Sequence, residues 1–325
     1  MLHGAGGMSG VRGRFAPSPS GRMHLGNVCC ALAAWLSVRQ DGGEMVLRME
    51  DLDPDRCRRE YGELLIDDLR WLGLDWDEGP GKEGACGPYW QSARRDRYEQ
   101  ALQTLRARGE LYPCYCTRAQ LHAASAPHRG DGVVRYPGTC RSLSARERAE
   151  REKTRAPALR WRVPEGTVAF DDQFLGPQAM DVQGTFGDLL LRRSDGVHAY
   201  QLAVTVDDMA MGITQVVRGN DLLASTPCQI LLMRALGGKE PRYGHVPLLV
   251  TGDGRRLSKR EKDLDMGVLR QRYTPEQLCG KLANLLGMLD KPEPVKAREL
   301  IGLLKREMLQ RETLCIRPQD WTGEY

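Results

Sequence analysis

The chain has 325 residues, of which 28% are charged and 41% hydrophobic, and its formal net charge is +4. That is enough chain for one large or two modest domains with a buried core, and no apolar run approaches the ~20 residues of a membrane span. The mild positive charge permits a nucleic-acid partner without arguing for one.

In chain order, MLHGAGGMSG at the N-terminus lacks the apolar centre of a signal peptide. It reads as a flexible extension over 1–11, with Met8 as an alternative start, and the expected location is the cytoplasm. Residues 11–15 read as a short strand. A turn rich in Pro, Ser and Gly follows, and the apolar spacing of Val28, Leu32, Trp35 and Leu36 predicts a helix to Arg39. Gly42 and Gly43 break the chain, and Glu44–Met49 reads as a second strand ending in the acidic run Glu50–Asp53. This is a strand–helix–strand unit, the start of a doubly wound parallel α/β sheet over 12–109. Amphipathic helices are expected at Tyr61–Leu72 and Asp96–Arg108, separated by a Gly/Pro-rich loop from Gly79 to Pro88. Residues 110–170 change character: cysteines and tyrosines cluster, then Arg146–Arg155 alternates in charge like a solvated helix face. Strand and helix signals return after this insert, so the second half of the sheet is assigned to 171–250, with a helix at 226–236. A glycine-rich basic loop, Gly252–Arg260, opens a polar, helical tail over 251–325.

Two of these loops carry chemistry. Arg14–Asn27 reads RFAPSPSGRMHLGN. The strand delivers Arg14 to the carboxyl edge of the sheet, where α/β folds bind ligands. Pro17 and Pro19 stiffen the turn, Gly21 and Gly26 allow close approach, and His24 and Asn27 start a helix whose N–H groups attract phosphate. At the other end, Arg255–Arg260 reads RRLSKR, a basic loop suited to closing on a polyphosphate.

The first loop resembles the His-x-Gly-His signature of class I aminoacyl-tRNA synthetases, and the second resembles their Lys-Met-Ser-Lys-Ser loop. More closely, RFAPSPSG, RMEDLD, YWQS, AYQLAVTVDD and VVRGNDLL match the glutamyl branch in order, over roughly residues 12–262. Only residues 260–325 follow Lys259, too few for the helical anticodon-binding region of a glutamyl-tRNA synthetase. The chain is therefore similar to the short paralogue family, the glutamyl-queuosine tRNA(Asp) synthetases. The resemblance implies a Rossmann-type catalytic domain. It implies activation of glutamate by ATP and Mg²⁺ without tRNA, and transfer to queuosine at the wobble position of tRNA(Asp). A monomer is the default.

The same resemblance places site residues. His24 and Lys259 are the expected catalytic residues. Pro17, Ser18, Gly21, His24, Gly26, Asn27, Arg256, Leu257, Ser258 and Lys259 are expected at ATP. Arg14, Phe15, Ala16, Pro17, Ser18, Glu50, Tyr200 and Arg218 are expected at glutamate. The chemistry agrees: guanidinium groups fork onto the two carboxylates and Glu50 can hold the ammonium group. An Arg14–Glu50 salt bridge and a core role for Tyr200 are the structural alternatives. The family's final His is Asn27 here, which brings no positive charge to the phosphates, whereas Arg256 keeps the charge of the loop's first lysine.

Ten cysteines in a reducing compartment do not suggest a disulfide framework. Cys114, Cys116 and Cys140 are spaced to hold a tetrahedral Zn²⁺, with His122 and His128 as possible fourth ligands. The family pattern instead implies Tyr136 as the fourth. The expected zinc is structural, folding a polar insert. The competing functions are a truncated glutamyl-tRNA synthetase charging tRNA(Glu), another class I-like ligase or nucleotidyltransferase, and a non-catalytic tRNA-binding relative.

Overall fold

The structure is a computed structural model that describes residues 10–117, 119–121, 135–257 and 264–321. Its centre is a six-stranded sheet. In chain order the strands are β1 (Arg12–Phe15), β2 (Glu44–Leu47), β5 (Thr167–Asp172), β6 (Gly176–Asp181), β8 (Gln215–Gly219) and β9 (Arg242–Val246). Their spatial order is β2-β1-β8-β9-β5-β6. Neighbours run parallel except β5 and β6, which form an antiparallel edge. The expected parallel sheet is thus present, with an antiparallel edge that the sequence reading did not include. Its cause is local: the connection from Asp172 to Gly176 is too short for a parallel crossover.

Helix α1 (Leu25–Arg39) starts three residues earlier than the apolar spacing indicates, because His24 caps it. It is buried on nearly every side. One side meets β1 and β8, and another meets the turn Ala297–Leu300 in the tail. Leu32 and Leu36 accordingly share a core with Leu278 and Leu282 of the C-terminal region. The tail packs on the catalytic half, and it is not wholly helical. Helices Met266–Arg272 and Pro275–Leu285 are followed by strand Thr313–Ile316, which pairs in parallel with Leu248–Thr251. Leu314 and Ile316 are buried and alternate with exposed residues, a period-2 pattern too short to stand out in a polar segment.

Helices Arg59–Trp71 and Arg95–Ala107 lie within one or two residues of their expected ends. The charged helix Ala145–Glu152 buries no residue, as its alternating charge predicts. The insert carries its own antiparallel sheet of β3 (Leu111–Cys114), β4 (Ala158–Trp161) and β7 (Leu189–Arg192). Its third strand comes from beyond 110–170, so the insert's sheet is stitched to the chain that resumes the main fold.

Candidate active site and metal centre

A cleft of about 470 Å³ opens at the carboxyl ends of β1, β2 and β8. Arg14 is the penultimate residue of β1, Glu50 follows β2 and Arg218 lies in β8. Tyr200 opens the helix Tyr200–Ala210. All four line this cleft, together with Phe15, Ala16, Pro17, Ser18, Gly21, His24, Gly26, Asn27, Arg256 and Leu257. Every described residue of the two expected ligand sets therefore shares one cavity. Ser258, Lys259 and Arg260 lie outside the described residues, as do His122, His128 and Met8.

The first loop is built around a helix cap. His24 Nδ1 accepts from the Gly26 backbone N–H at 3.1 Å, and Asn27 Oδ1 accepts from the His24 N–H at 3.2 Å. Asn27 thus closes a reciprocal capping box, a task that needs an acceptor and no charge. The chain beyond the second loop returns here: Met266 N–H donates to the Met23 carbonyl at 2.8 Å. Arg22 and Arg270 also meet on the buried Asp68, each at about hydrogen-bond distance. These contacts hold the start of helix Met266–Arg272 against the first loop. Arg256 reaches across to Asp221 at 2.6 Å.

The deeper end is a cluster of buried charges. Arg14 and Glu50 do not pair with each other. Arg14 Nε stands 3.5 Å from Asp208 and makes no hydrogen bond, while Glu50 accepts from Arg48 at 3.1 Å. Arg48 also donates to Asp208 at 2.7 Å. Behind them Asp207 collects Arg94, Gln91 and Tyr98 at 2.6–2.8 Å. Burial raises the Glu50 carboxyl above its ordinary value against the pull of Arg48 and Arg14. Burial also opposes ionisation of Asp208, but Arg48 and Arg14 outweigh it and hold this carboxyl low. Burial raises the Tyr200 phenol, keeping it a neutral hydrogen-bonding group at the cleft wall. Arg218 is clamped by Gln229, Thr226, the Leu222 carbonyl and His245, and His245 binds Asp172.

Reading the sequence alone did not single out Arg48, Asp207, Asp208, Thr226, Gln229, His245 or Asp172. Arg48, Asp207 and Asp208 sit inside the quoted segments RMEDLD and AYQLAVTVDD, so a signal existed for those three. Nothing local marks the other four.

In the insert, the thiols of Cys114, Cys116 and Cys140 all lie within 4.8 Å of one another. Cys116 Sγ and Cys140 Sγ are 3.7 Å apart, and Cys114 Sγ is 3.6 Å from Tyr136 Oη. Two sulfurs bound at ~2.3 Å in tetrahedral geometry stand ~3.8 Å apart, so the donor set fits a metal ion of that geometry. Burial opposes Cys114 ionisation, but the Cys116 backbone N–H and Arg160 outweigh it and lower this thiol. Cys116 is pushed up to about 12, by burial and then by the charge of Cys114. Three thiolates cannot crowd together without a cation to share, and the cluster can bind a metal.

Residues 10–315 match the family described as tRNA synthetases class I (E and Q), catalytic domain. The chain is 51% identical over 313 residues to the Glutamyl-Q tRNA(Asp) synthetase of Nitratidesulfovibrio vulgaris, covering 95% of this chain and 96% of that one. It is 45% identical to Glutamate--tRNA ligase 2 of Alkalilimnicola ehrlichii over 85% of its own length but only 58% of the relative's. A solved glutamate tRNA ligase from Elizabethkingia meningosepticum, in complex with its amino acid, superposes with a TM-score of 0.80 at 29% identity. That match covers 95% of this chain and 67% of the ligase. The chain belongs to the class I tRNA synthetases of the glutamate and glutamine type, in the short branch that includes the Glutamyl-Q tRNA(Asp) synthetases.

Proposed function

We propose that this ligase activates glutamate with ATP, without tRNA, and transfers the glutamyl group to the queuosine base at the wobble position of tRNA(Asp). The observation that carries this reading is the single cleft. It joins a capped, glycine-rich helix start to two buried arginines and a buried glutamate.

In this reading Arg14 and Arg218 take the two carboxylates and Glu50 takes the ammonium group, with Tyr200 bonding from the wall. Phe15, Ala16, Pro17 and Ser18 shape the same subsite. Pro17, Ser18, Gly21, His24, Gly26, Asn27, Arg256 and Leu257 receive ATP, joined by Ser258 and Lys259. The α-carboxylate is ionised at neutral pH, so it attacks the α-phosphate without a general base. The protein's task is to bring two anions together and to stabilise charge as pyrophosphate leaves. The start of α1, His24, Arg256 and Lys259 supply that stabilisation. Among the described lining residues the acids are Glu50, held by Arg48, and Asp221, held by Arg256. Mg²⁺ would therefore be brought by the nucleotide and would help to neutralise its phosphates.

Zn²⁺ in Cys114, Cys116, Cys140 and Tyr136 would be structural. Arg160 supports it from outside, donating to Cys114 at 3.3 Å and stacking over the Tyr136 ring. Residues 12–109 and 171–250 then act as the two halves of the catalytic domain, with 110–170 as the metal-bearing insert and 251–325 as the closing loop and tail. The protein acts as a monomer in the cytoplasm.

The test is transfer of labelled glutamate, with ATP, to tRNA(Asp) with and without queuosine and to tRNA(Glu). Label on queuosine-containing tRNA(Asp) alone is expected. Label on tRNA(Glu) would overturn the assignment of the acceptor, and absence of ATP–pyrophosphate exchange would overturn the activation step.

A further inference from the structure

The register of β8 and β9 sets Arg218 directly beside His245, and β5, the next strand, brings Asp172 up behind the imidazole. All three residues are buried. Asp172 Oδ1 is occupied by the backbone N–H groups of Phe174, Leu175 and His245 at 3.0–3.2 Å. That leaves Oδ2 facing His245 Nδ1 at 2.6 Å. A carboxylate only accepts, so the imidazole proton sits on Nδ1. Arg218 Nε only donates, so His245 Nε2 meets it with a lone pair at 3.1 Å. The remaining guanidinium contacts are Gln229 Oε1 at 2.9 Å, Thr226 Oγ1 at 2.7 Å and the Leu222 carbonyl at 3.4 Å.

Each of these acceptors is neutral. Among the described residues no carboxylate lies within ion-pair distance of Arg218, whereas Arg14 has Asp208 at 3.5 Å. The imidazole works as a spacer: it passes the orienting effect of Asp172 to the guanidinium while keeping the carboxylate out of contact. Arg218 is therefore held in place with its charge unspent.

We propose that Asp172 and His245 are a positioning pair for Arg218, which fixes the guanidinium for a substrate carboxylate without neutralising it. This rests on the reading of Arg218 as a glutamate anchor. The pair also gives that anchor an acid limit. Once His245 takes a second proton, Nε2 can no longer accept from Arg218 Nε, and the acceptor left beside it is Thr226 Oγ1 at 3.1 Å, so the bond to the guanidinium is lost. The charged and titratable groups that face the imidazole are Asp172 on β5, Arg218 on β8, Tyr243 on its own strand with ring centroids 6.5 Å apart, and Arg14 at longer range, and the Thr226 hydroxyl lies 3.1 Å from Nε2. Burial pushes His245 below its ordinary value and outweighs the bond to Asp172, so the neutral form holds at pH 7.

ATP–pyrophosphate exchange at varied glutamate and ATP tests the pair. Arg218→Ala comes first, and an unchanged KM for glutamate would overturn both the anchor and the pair. Asp172→Asn is isosteric. Its oxygen keeps the three N–H bonds while its amide donates to Nδ1, moving the imidazole proton to Nε2 in the wrong tautomer. The expected result is a KM for glutamate raised on the order of 10- to 100-fold, with the KM for ATP held within about twofold. His245→Gln places an acceptor where Nε2 stood and restores most of the affinity. His245→Asn reaches only the Nδ1 position and does not. In the parent, KM for glutamate rises as pH falls through the lowered His245 value, which lies below the ordinary ~6.5, and in His245→Gln this rise is absent. Parental glutamate KM in Asp172→Asn, with Arg218→Ala impaired, would overturn the pair alone. So would equal impairment of the Gln and Asn variants, the mark of a merely structural role.

Discussion

Replacing Asp208 by Asn perturbs the buried charge cluster at the deeper end of the cleft. The buried cations there are Arg14, Arg48, Arg94 and Arg218, and the buried anions are Glu50, Asp207 and Asp208. Asp208 is about 1% exposed, 2.7 Å from Arg48 and 3.5 Å from Arg14. Breaking a buried pair from one side typically costs about 3–5 kcal/mol, because the partner charge is left uncompensated. Two features reduce the figure here. The Asn oxygen still accepts from Arg48, and Arg48 retains Glu50 at 3.1 Å and Asp207 at 3.8 Å. The expected loss is therefore near the low end, about 3 kcal/mol. Urea unfolding followed by tryptophan fluorescence reads it directly. Arg48→Met should also destabilise, and the double variant should lose less than the sum of the two, since each removes the other's unpaired partner. The pH dependence carries a sign. Asp208 is held below its ordinary value in the folded state, so its contribution is complete above ~3.9 and fades as pH falls through the lowered folded value. The Asn variant should lack that part of the acid sensitivity. A variant within ~0.5 kcal/mol of the parent, or strictly additive double-mutant energies, would refute the reasoning.

Three further expectations follow from other parts of the molecule. The purified protein should carry one zinc ion per chain by elemental analysis, and Cys116→Ser should release it and expose 110–170 to limited proteolysis; an undiminished metal content would exclude the cluster. Gly187 has φ +69°, and a Cβ there would stand 2.1 Å from the Tyr136 carbonyl oxygen. Gly187→Ala should therefore cost at least about 1–3 kcal/mol and weaken metal retention, both read by thermal unfolding with and without chelator. Asn27→Ala should lose about 0.5–1 kcal/mol through the capping box, whereas Asn27→Asp should keep it. If Asn27→Ala unfolds like the parent, the cap contributes nothing.

Much of the fold was legible because its signals are local. The β1–α1–β2 unit follows from apolar spacing between glycine breaks, and the helix Ala145–Glu152 follows from alternating charge. Strand Thr313–Ile316 was not legible, because four residues in a polar tail become a strand only when Leu248–Thr251 offers an edge. Nor was full burial of α1 visible, since its second apolar side is covered by a segment more than 200 residues away.

For the site, the candidate residues were legible in the sequence. The glycines and prolines of the first loop, the arginine at a strand end, the cysteine spacing and the basic second loop are all set by neighbours in the chain, and ordered motifs carry them. Partnership came from the fold. Arg14 takes Asp208 and Glu50 takes Arg48, against the simpler Arg14–Glu50 pairing. Asp172, Arg218 and His245 meet only because β5, β9 and β8 lie side by side in a fixed register. A residue's chemistry travels with its side chain, whereas the neighbour that tunes it is chosen by strand order, which no local stretch of sequence contains.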